Sequence, residues 1–440
     1  MPGLAAAHPP WRLVKAAAPA LTRRWDAGFH LQSSAAGQGW RTIADLGANI
    51  SEGQRAGRAG GPGSLLYRPS HLFGGLLDPD HEHLCDPPSP SPRAVGPGDV
   101  VVSKFVPLRV AMITPATPRH APDGNCVRIV GLDSATALWV ASVLGHKSFA
   151  PSIARRSAGR RVARLGARDL AALAVPPPPR EVGAIAAAWQ VAADRRLAAL
   201  RDVVAAQDEV QALADELGPE LPDPRQPAWV AQAQIPDTWA PDQAALLRYQ
   251  DELSGVGWSR LAHHLVQEPA RLRRELPPAR LLRLTDGHGA LGFRVPELEV
   301  IRPPYFRVYA DPLRAGEVLL STLGTSPRVV FHHPPVDSTV WVSDQWARLR
   351  GAHPGSLALV LRTRQVAWQV ERAATGAVRQ FVGRQDLARV RFPRLSPTVT
   401  DRLHRLVCEA VVRRRHADDA LGELRTRLDA LLRDRLGRRR

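Results

Sequence analysis

The residues with the clearest chemical potential in this sequence are arginines. Residues 151–170 carry six of them, Arg155, Arg156, Arg160, Arg161, Arg164 and Arg168, against one acid, Asp169. A charge run is ordinarily a solvated helix face, balanced by carboxylates one turn away; this one has no Glu partners at that spacing, which favours contact with phosphates. Arg328, Arg372, Arg379 and Arg384 recur in the second half, and residues 267–283 hold a further Arg cluster. Over the whole chain, 59 Lys and Arg against 42 Asp and Glu leave a formal charge of +17. The excess is nearly all Arg, whose planar fork suits bidentate contact with phosphate and guanine. A GC-rich genome accounts for Arg over Lys and for the 40 Pro, but not for so large a surplus of base over acid. The charge therefore predicts a polyanionic partner.

Motifs for catalysis are missing. Gly57, Gly60, Gly61 and Gly63 crowd residues 51–64, but a phosphate-cradling loop needs glycines at fixed offsets between strand and helix, followed by Lys and Ser or Thr. A flexible surface loop is the reading there. Asp80, His81, His83 and Cys85 are potential metal donors whose spacing matches no usual zinc pattern; Pro79, Pro87 and Pro88 frame them as a solvated loop. Cys85, Cys126 and Cys408 are scattered and form no disulfide framework. Pro303-Pro304-Tyr305 is similar to part of the Asn/Asp-Pro-Pro-Tyr loop of amino-methyltransferases, but the residue before it is Arg302, which can only donate hydrogen bonds. His263-His264 and His332-His333 lack partners at metal spacing, and no nucleophile elbow, zinc-protease helix or nuclease motif is found. The sequence predicts a non-catalytic chain with no cofactor and no metal.

What positions the arginines is a set of strands and helices in each half. Residues 100–103, 109–114 and 126–130 read as strands, and 132–145 has helical spacing that 146–154 continues. Residues 40–47 look like the start of an ordered segment, and Trp11, Trp25, Phe29 and Leu31 are candidates for a preceding strand pair. In the second half, 298–302, 306–309, 316–321 and 328–331 read as strands, and 356–363 and 366–374 as helix. Residues 258–262 match 40–44.

Two long helices complete the pattern. Residues 181–217 contain no Pro and repeat apolar residues at steps of three and four, through Val182, Ile185, Trp189, Leu197 and Leu200. Residues 398–436 do the same through Leu403, Leu406, Leu424, Leu428 and Leu431, in a heptad-like rhythm. A shift of about 217 residues lays Gly98-Asp99-Val100-Val101-Val102-Ser103 on Gly316-Glu317-Val318-Leu319-Leu320-Ser321, and residues 166–171 on 383–388. The reading is an α+β chain: a tandem repeat of a globular mixed α/β domain followed by a long helix, the two helices pairing as an antiparallel coiled coil. The expected boundaries are 1–179 for the first domain, 180–217 for its helix and 218–228 for a linker. They are 229–396 for the second domain and 397–440 for the second helix with its basic tail. No signal peptide or membrane span is read, and a cytoplasmic protein is expected.

Gly98-Asp99-Val100-Val101-Val102-Ser103-Lys104, the run from Leu165 to Pro179, and the long helix directly after it resemble a target-recognition domain and spacer helix of a type I restriction-modification specificity subunit. Leu387-Ala388-Arg389-Val390-Arg391-Phe392-Pro393 and the final helix resemble the second copy. The chain departs from the family's pattern at the helix starts: Glu181 and Ile185 are kept, a Gln is not, and residues 398–402 keep neither. The resemblance implies two DNA-reading domains, each reading one half of a split double-stranded target. It also implies two docked methyltransferase (modification) subunits and a restriction/translocase subunit. On this view Ser103, Lys104, Arg109, Arg155, Arg156, Arg160 and Arg161 are DNA contacts of the first domain. Ser321, Arg328, Arg372, Arg379 and Arg384 are those of the second. Most would be phosphate contacts that set register, with the base-reading residues in loops. The competing readings are a non-catalytic protein scaffold and a specificity-like module of another defence system.

Overall fold

A computed structural model of the chain describes residues 39–54, 65–78, 83–84, 86–87, 91–156, 164–222, 241–266, 271–273, 279–282, 300–301, 306–309, 311–323, 327–333, 339–375 and 381–437. The predicted strand pair around Trp11 and Trp25, the Arg cluster at 267–283 apart from a few strand residues, and Arg160, Arg161 and Arg379 lie outside the described residues or largely so. The fold is mixed α+β and divides into two compact units, residues 1–194 with 417–440, and residues 195–416. Both divisions fall inside the long helices, which run from Val182–Leu217 and Pro397–Gly437.

The first unit is built on an antiparallel sheet in the order Asn49–Glu52, Cys126–Val130, Val100–Ser103, Val110–Met112. The central strand is buried throughout and begins with three valines because both its faces are covered. Val100 and Val102 belong to the core beneath the helix Ser134–Gly145, and Val101 to a second core with Tyr67, Leu72 and Ile113. That is the two-residue alternation of a strand expressed as two hydrophobic layers. Ser51 and Glu52, read from sequence as the start of a loop, finish the sheet's edge strand instead. The helix Ser134–Gly145 starts where the Asp133 carboxylate accepts the N–H groups of Ala135 and Thr136, both at 3.0 Å. It buries Leu138, Trp139, Val140 and Leu144, and Trp139 Nε1 donates to Pro176 O at 2.7 Å. It does not continue as expected: His146 is extended (φ −81°, ψ 134°), and a short 3-10 turn leads into a separate helix, Ala150–Arg156.

In the same unit Val182, Ile185, Trp189 and Ala193 share one core with Leu421, Leu424, Leu428 and Leu432. Gly75 sits at φ +82°, and a Cβ there would stand 3.2 Å from the Trp189 ring, so the site favours glycine for both conformation and space. Arg425 donates to Gly74 O nearby.

The second unit carries a three-stranded antiparallel sheet, Val329–Phe331, Val318–Ser321, Trp346–Leu349. A second sheet places Ala279–Leu282 between Val300–Ile301, antiparallel, and Val340–Val342, parallel. The helices are Pro354–Val360 and Arg364–Ala373. A further helix, Pro241–Gly255, was not read from sequence; Tyr249 and Leu253 pack with Ala214 and Trp258.

The helix stretches in this unit bury more than one stripe. Leu197 and Leu200 are buried as expected, but so are Ala199, Val203 and Ala206, while Leu217 is 43% exposed. On the closing helix Leu403 is buried, yet Leu406 is only half-buried and Val407 is fully buried in its place. The same displacement occurs in the first unit, where Leu432 rather than Leu431 is buried. Val407 keeps the seven-residue rhythm of the buried Leu421 and Leu428, as Leu403 keeps that of Ala410, Ala417 and Leu424, and Leu406 lies off both; only at Leu432 has the 3.6-residue turn drifted one residue past that rhythm.

Candidate nucleic-acid interface

In the first unit the site is organised by the turn between Val100–Ser103 and Val110–Met112. The Ser103 backbone N–H donates to Arg109 O at 2.8 Å, and its Oγ accepts the Arg109 N–H at 2.8 Å while donating to Phe105 O at 3.2 Å. Ser103 is buried, so its hydroxyl holds the turn, and what the turn presents outward is Arg109. Lys104 is half-buried; its Nζ donates to Gly124 O at 2.7 Å and pairs with Glu52. Burial is the chief cause that lowers its pKa. Across from the turn, Phe105 bridges Arg164, whose guanidinium carbon lies 5.0 Å from the Phe105 ring centroid. Beneath the strand, Asp99 pairs with Arg128 at 2.7 Å and accepts the Gly96 N–H at 2.6 Å. Burial raises the Asp99 pKa against both of those interactions.

The second unit repeats this bonding at matching positions. The Ser321 N–H donates to Arg328 O at 2.8 Å, and Ser321 Oγ accepts the Arg328 N–H at 2.7 Å. Ser321 is buried and Arg328 exposed. Glu317 takes the place of Asp99 and Arg348 that of Arg128, joined at 2.6 Å with both side chains buried; Arg350 adds a contact at 2.7 Å. The Lys104 N–H donates to Asn125 O at 2.8 Å, and the Thr322 N–H to Gln345 O at 2.8 Å. Leu165 donates to Lys104 O and Val382 to Thr322 O, each at 2.9 Å.

The other arginines read as contacts are placed differently from one another. Arg155 and Arg156 end the helix Ala150–Arg156. Arg372 stacks on Trp368, 5.7 Å from its centroid, and Arg384 donates to Val266 O. Arg372 and Arg384 are half-buried, whereas Arg109 and Arg328 are exposed. The matched sequence runs end at Ser103 and Ser321, and neither the turns that tie these serines to Arg109 and Arg328 nor the role of the hydroxyls was legible in them.

Two other clusters bear on chemistry. His71, His83 and His120 are buried around Tyr67, with ring centroids 4.5 Å apart for His71 and His83 and 5.3 Å for His83 and His120. His83 and Leu84 are thus buried, which corrects the solvated-loop reading for those residues; Asp80, His81 and Cys85 lie outside the described residues. Among the described residues no group of three or more His, Cys, Asp or Glu is placed to hold a metal. In the second unit a groove of about 570 Å3 is lined by Arg314, Glu317, His333, Arg350, His404 and Cys408 among others. Burial pushes the Cys408 thiol up to about 11, which leaves it protonated and a poor nucleophile at neutral pH. No helix among the described residues is long and apolar enough to cross a membrane.

No family model matches the sequence, and no curated protein matches it. Among solved structures the chain is similar to the S subunit of a type I restriction-modification system from M. genitalium, at 12% identity and a TM-score of 0.40, over 89% of this chain and 94% of that one. It is similar to a chain from a structure on complex assembly and conformational transition of the type I R-M system, at 13% identity and a TM-score of 0.27, over 91% and 98%. It is also similar to the HsdS subunit from Thermoanaerobacter tengcongensis, at 16% identity and a TM-score of 0.25, over 79% and 83%.

Proposed function

We propose that this chain is the sequence-specific DNA-binding specificity subunit of a type I restriction-modification complex, non-catalytic in itself. Each of two recognition domains reads one half of a bipartite double-stranded target. The observation that carries the reading is the repeated serine–arginine turn: Ser103 with Arg109 and Ser321 with Arg328 place an exposed arginine at the same position of two similar sheets. Two similar basic readers on one chain suit two half-sites at a fixed spacing. The charge of +17 supplies the non-specific part of the affinity.

The long helices pair as an antiparallel coiled coil in this reading. Support comes from within each unit: Trp189 shares a core with Leu424 and Leu428 in the first, and Arg402 pairs with Glu209 and Arg413 with Asp202 in the second. The outer faces of these helices receive two methyltransferase subunits, and a restriction/translocase subunit joins for cleavage. Selection of the full chain from a random duplex library tests the binding claim. Enrichment of two short motifs separated by a constant gap is the expected result; enrichment of no sequence would contradict it and favour a scaffold.

A further inference from the structure

The turns that hold Arg109 and Arg328 each have a neighbouring residue at one matched position, and the two differ in chemistry. Phe105 bridges Arg164, and Leu323 bridges Phe381. The flanking bonds fix the equivalence: the next residue along, Leu165 or Val382, donates to Lys104 O or Thr322 O at 2.9 Å. Leu165 and Val382 are buried, so strand alternation turns the preceding side chain outward. Arg164 is exposed, and Phe381 is 45% exposed in a unit that buries Phe331 and Phe392. Phe381 does not owe this exposure to a frayed end. Its N–H and C=O both pair with Thr375, at 2.9 Å each, and its neighbour is tied to the sheet.

We infer that Arg164 and Phe381 are matched DNA-contacting residues that make the two halves of the target unequal in how they are bound. The inference rests on the DNA-reading function proposed above. The Phe105 ring backs the Arg164 guanidinium, which leaves the edge of the fork to face a phosphate or a guanine. Phe381 has no charge to offer. A rigid aromatic beside an exposed Arg328 fits apolar contact with a thymine methyl or stacking against an opened base step. At this matched position the first half-site therefore gains a salt-sensitive contact and the second a salt-insensitive one, each beside the arginine that its turn presents.

The test uses the full chain and the duplex enriched from a random library, titrated between low and moderate salt. Arg164→Ala weakens binding tenfold or more at low salt and reduces the slope of log K against log salt by about 1, and Arg164→Lys restores most of the slope. Phe381→Ala weakens binding about five- to thirty-fold with the slope unchanged. Phe381→Leu keeps an apolar side chain and serves as the folding control, with thermal unfolding measured for every variant. Folded Arg164→Ala and Phe381→Ala proteins that bind with wild-type affinity and slope would overturn the inference while leaving the DNA-reading function intact. A slope change for Phe381→Ala, or none for Arg164→Ala, would overturn the assigned chemistry. Failure of the wild type to enrich any sequence would remove the function beneath both.

Discussion

Arg348 grips Glu317 through two nitrogens, with Nη2 at 2.6 Å and Nε at 3.0 Å from Oε2, and neither side chain reaches solvent. The pair ties the start of the strand Val318–Ser321 to its neighbour Trp346–Leu349. Removing one partner from a buried ion pair strands the other charge. Glu317→Ala is expected to cost about 3–5 kcal/mol in denaturant unfolding of the chain, whereas replacing both partners with apolar residues of similar volume costs much less. Equal losses for the single and double replacements would show that the pair contributes by packing alone.

The turn serines separate structure from recognition. Ser103→Ala and Ser321→Ala each remove a hydroxyl that accepts an arginine N–H, a loss of about 1 kcal/mol in stability. The salt slope of DNA binding should stay the same, since neither hydroxyl reaches solvent. A fall in slope for either variant would show that the serine itself meets DNA.

His332 makes the stability of the chain depend on pH. Burial lowers its pKa to about 4, from an ordinary value near 6.5. The unfolded chain therefore takes up a proton near pH 6.5 that the folded chain refuses until about pH 4. Stability should fall as the pH drops through that window, by up to ~3 kcal/mol from this group, and level off below it. His332→Gln, followed by thermal unfolding across the same range, should flatten the slope; an unchanged slope would assign the effect to other groups.

The Trp189 side chain tests the shared core of the first unit. Trp189→Ala should destabilise the chain by about 3–5 kcal/mol, and Leu424→Ala by about 2–5 kcal/mol. The double variant should lose less than the sum, because the two sit in one cluster. Strict additivity in equilibrium unfolding would show that they do not act together.

How far the sequence reaches is clear from particular residues. Val100–Ser103 and Val318–Ser321 were legible because buried strands write themselves as unbroken apolar runs. Both long helices were legible from Val182 to Leu217 and from Pro397 to Gly437 within a residue or two. Their buried faces were less so: Val407 and Leu432 replace Leu406 and Leu431, since a repeat marks a face and not the member of it that meets the core. The helix Pro241–Gly255 was hidden because its partners are distant in sequence: Tyr249 and Leu253 pack with Trp258 and Ala214, and Tyr249 also meets Trp368. The arginine clusters marked charge correctly but not its use. Arg372 and Arg384 look like Arg109 and Arg328 in sequence, and it is the fold that half-buries the first two, beside Trp368 and Val266 O, and leaves the other two exposed.

The central claim is that this chain directs modification to a split DNA target. The most direct measurement is expression of the chain with a type I adenine methyltransferase subunit from the same source, in a host free of DNA methylation, followed by genome-wide mapping of N6-methyladenine. The account predicts methylation confined to two short half-sites around a constant gap, lost when the chain is omitted. A stable complex that leaves no motif, or a motif that persists without this chain, would contradict it.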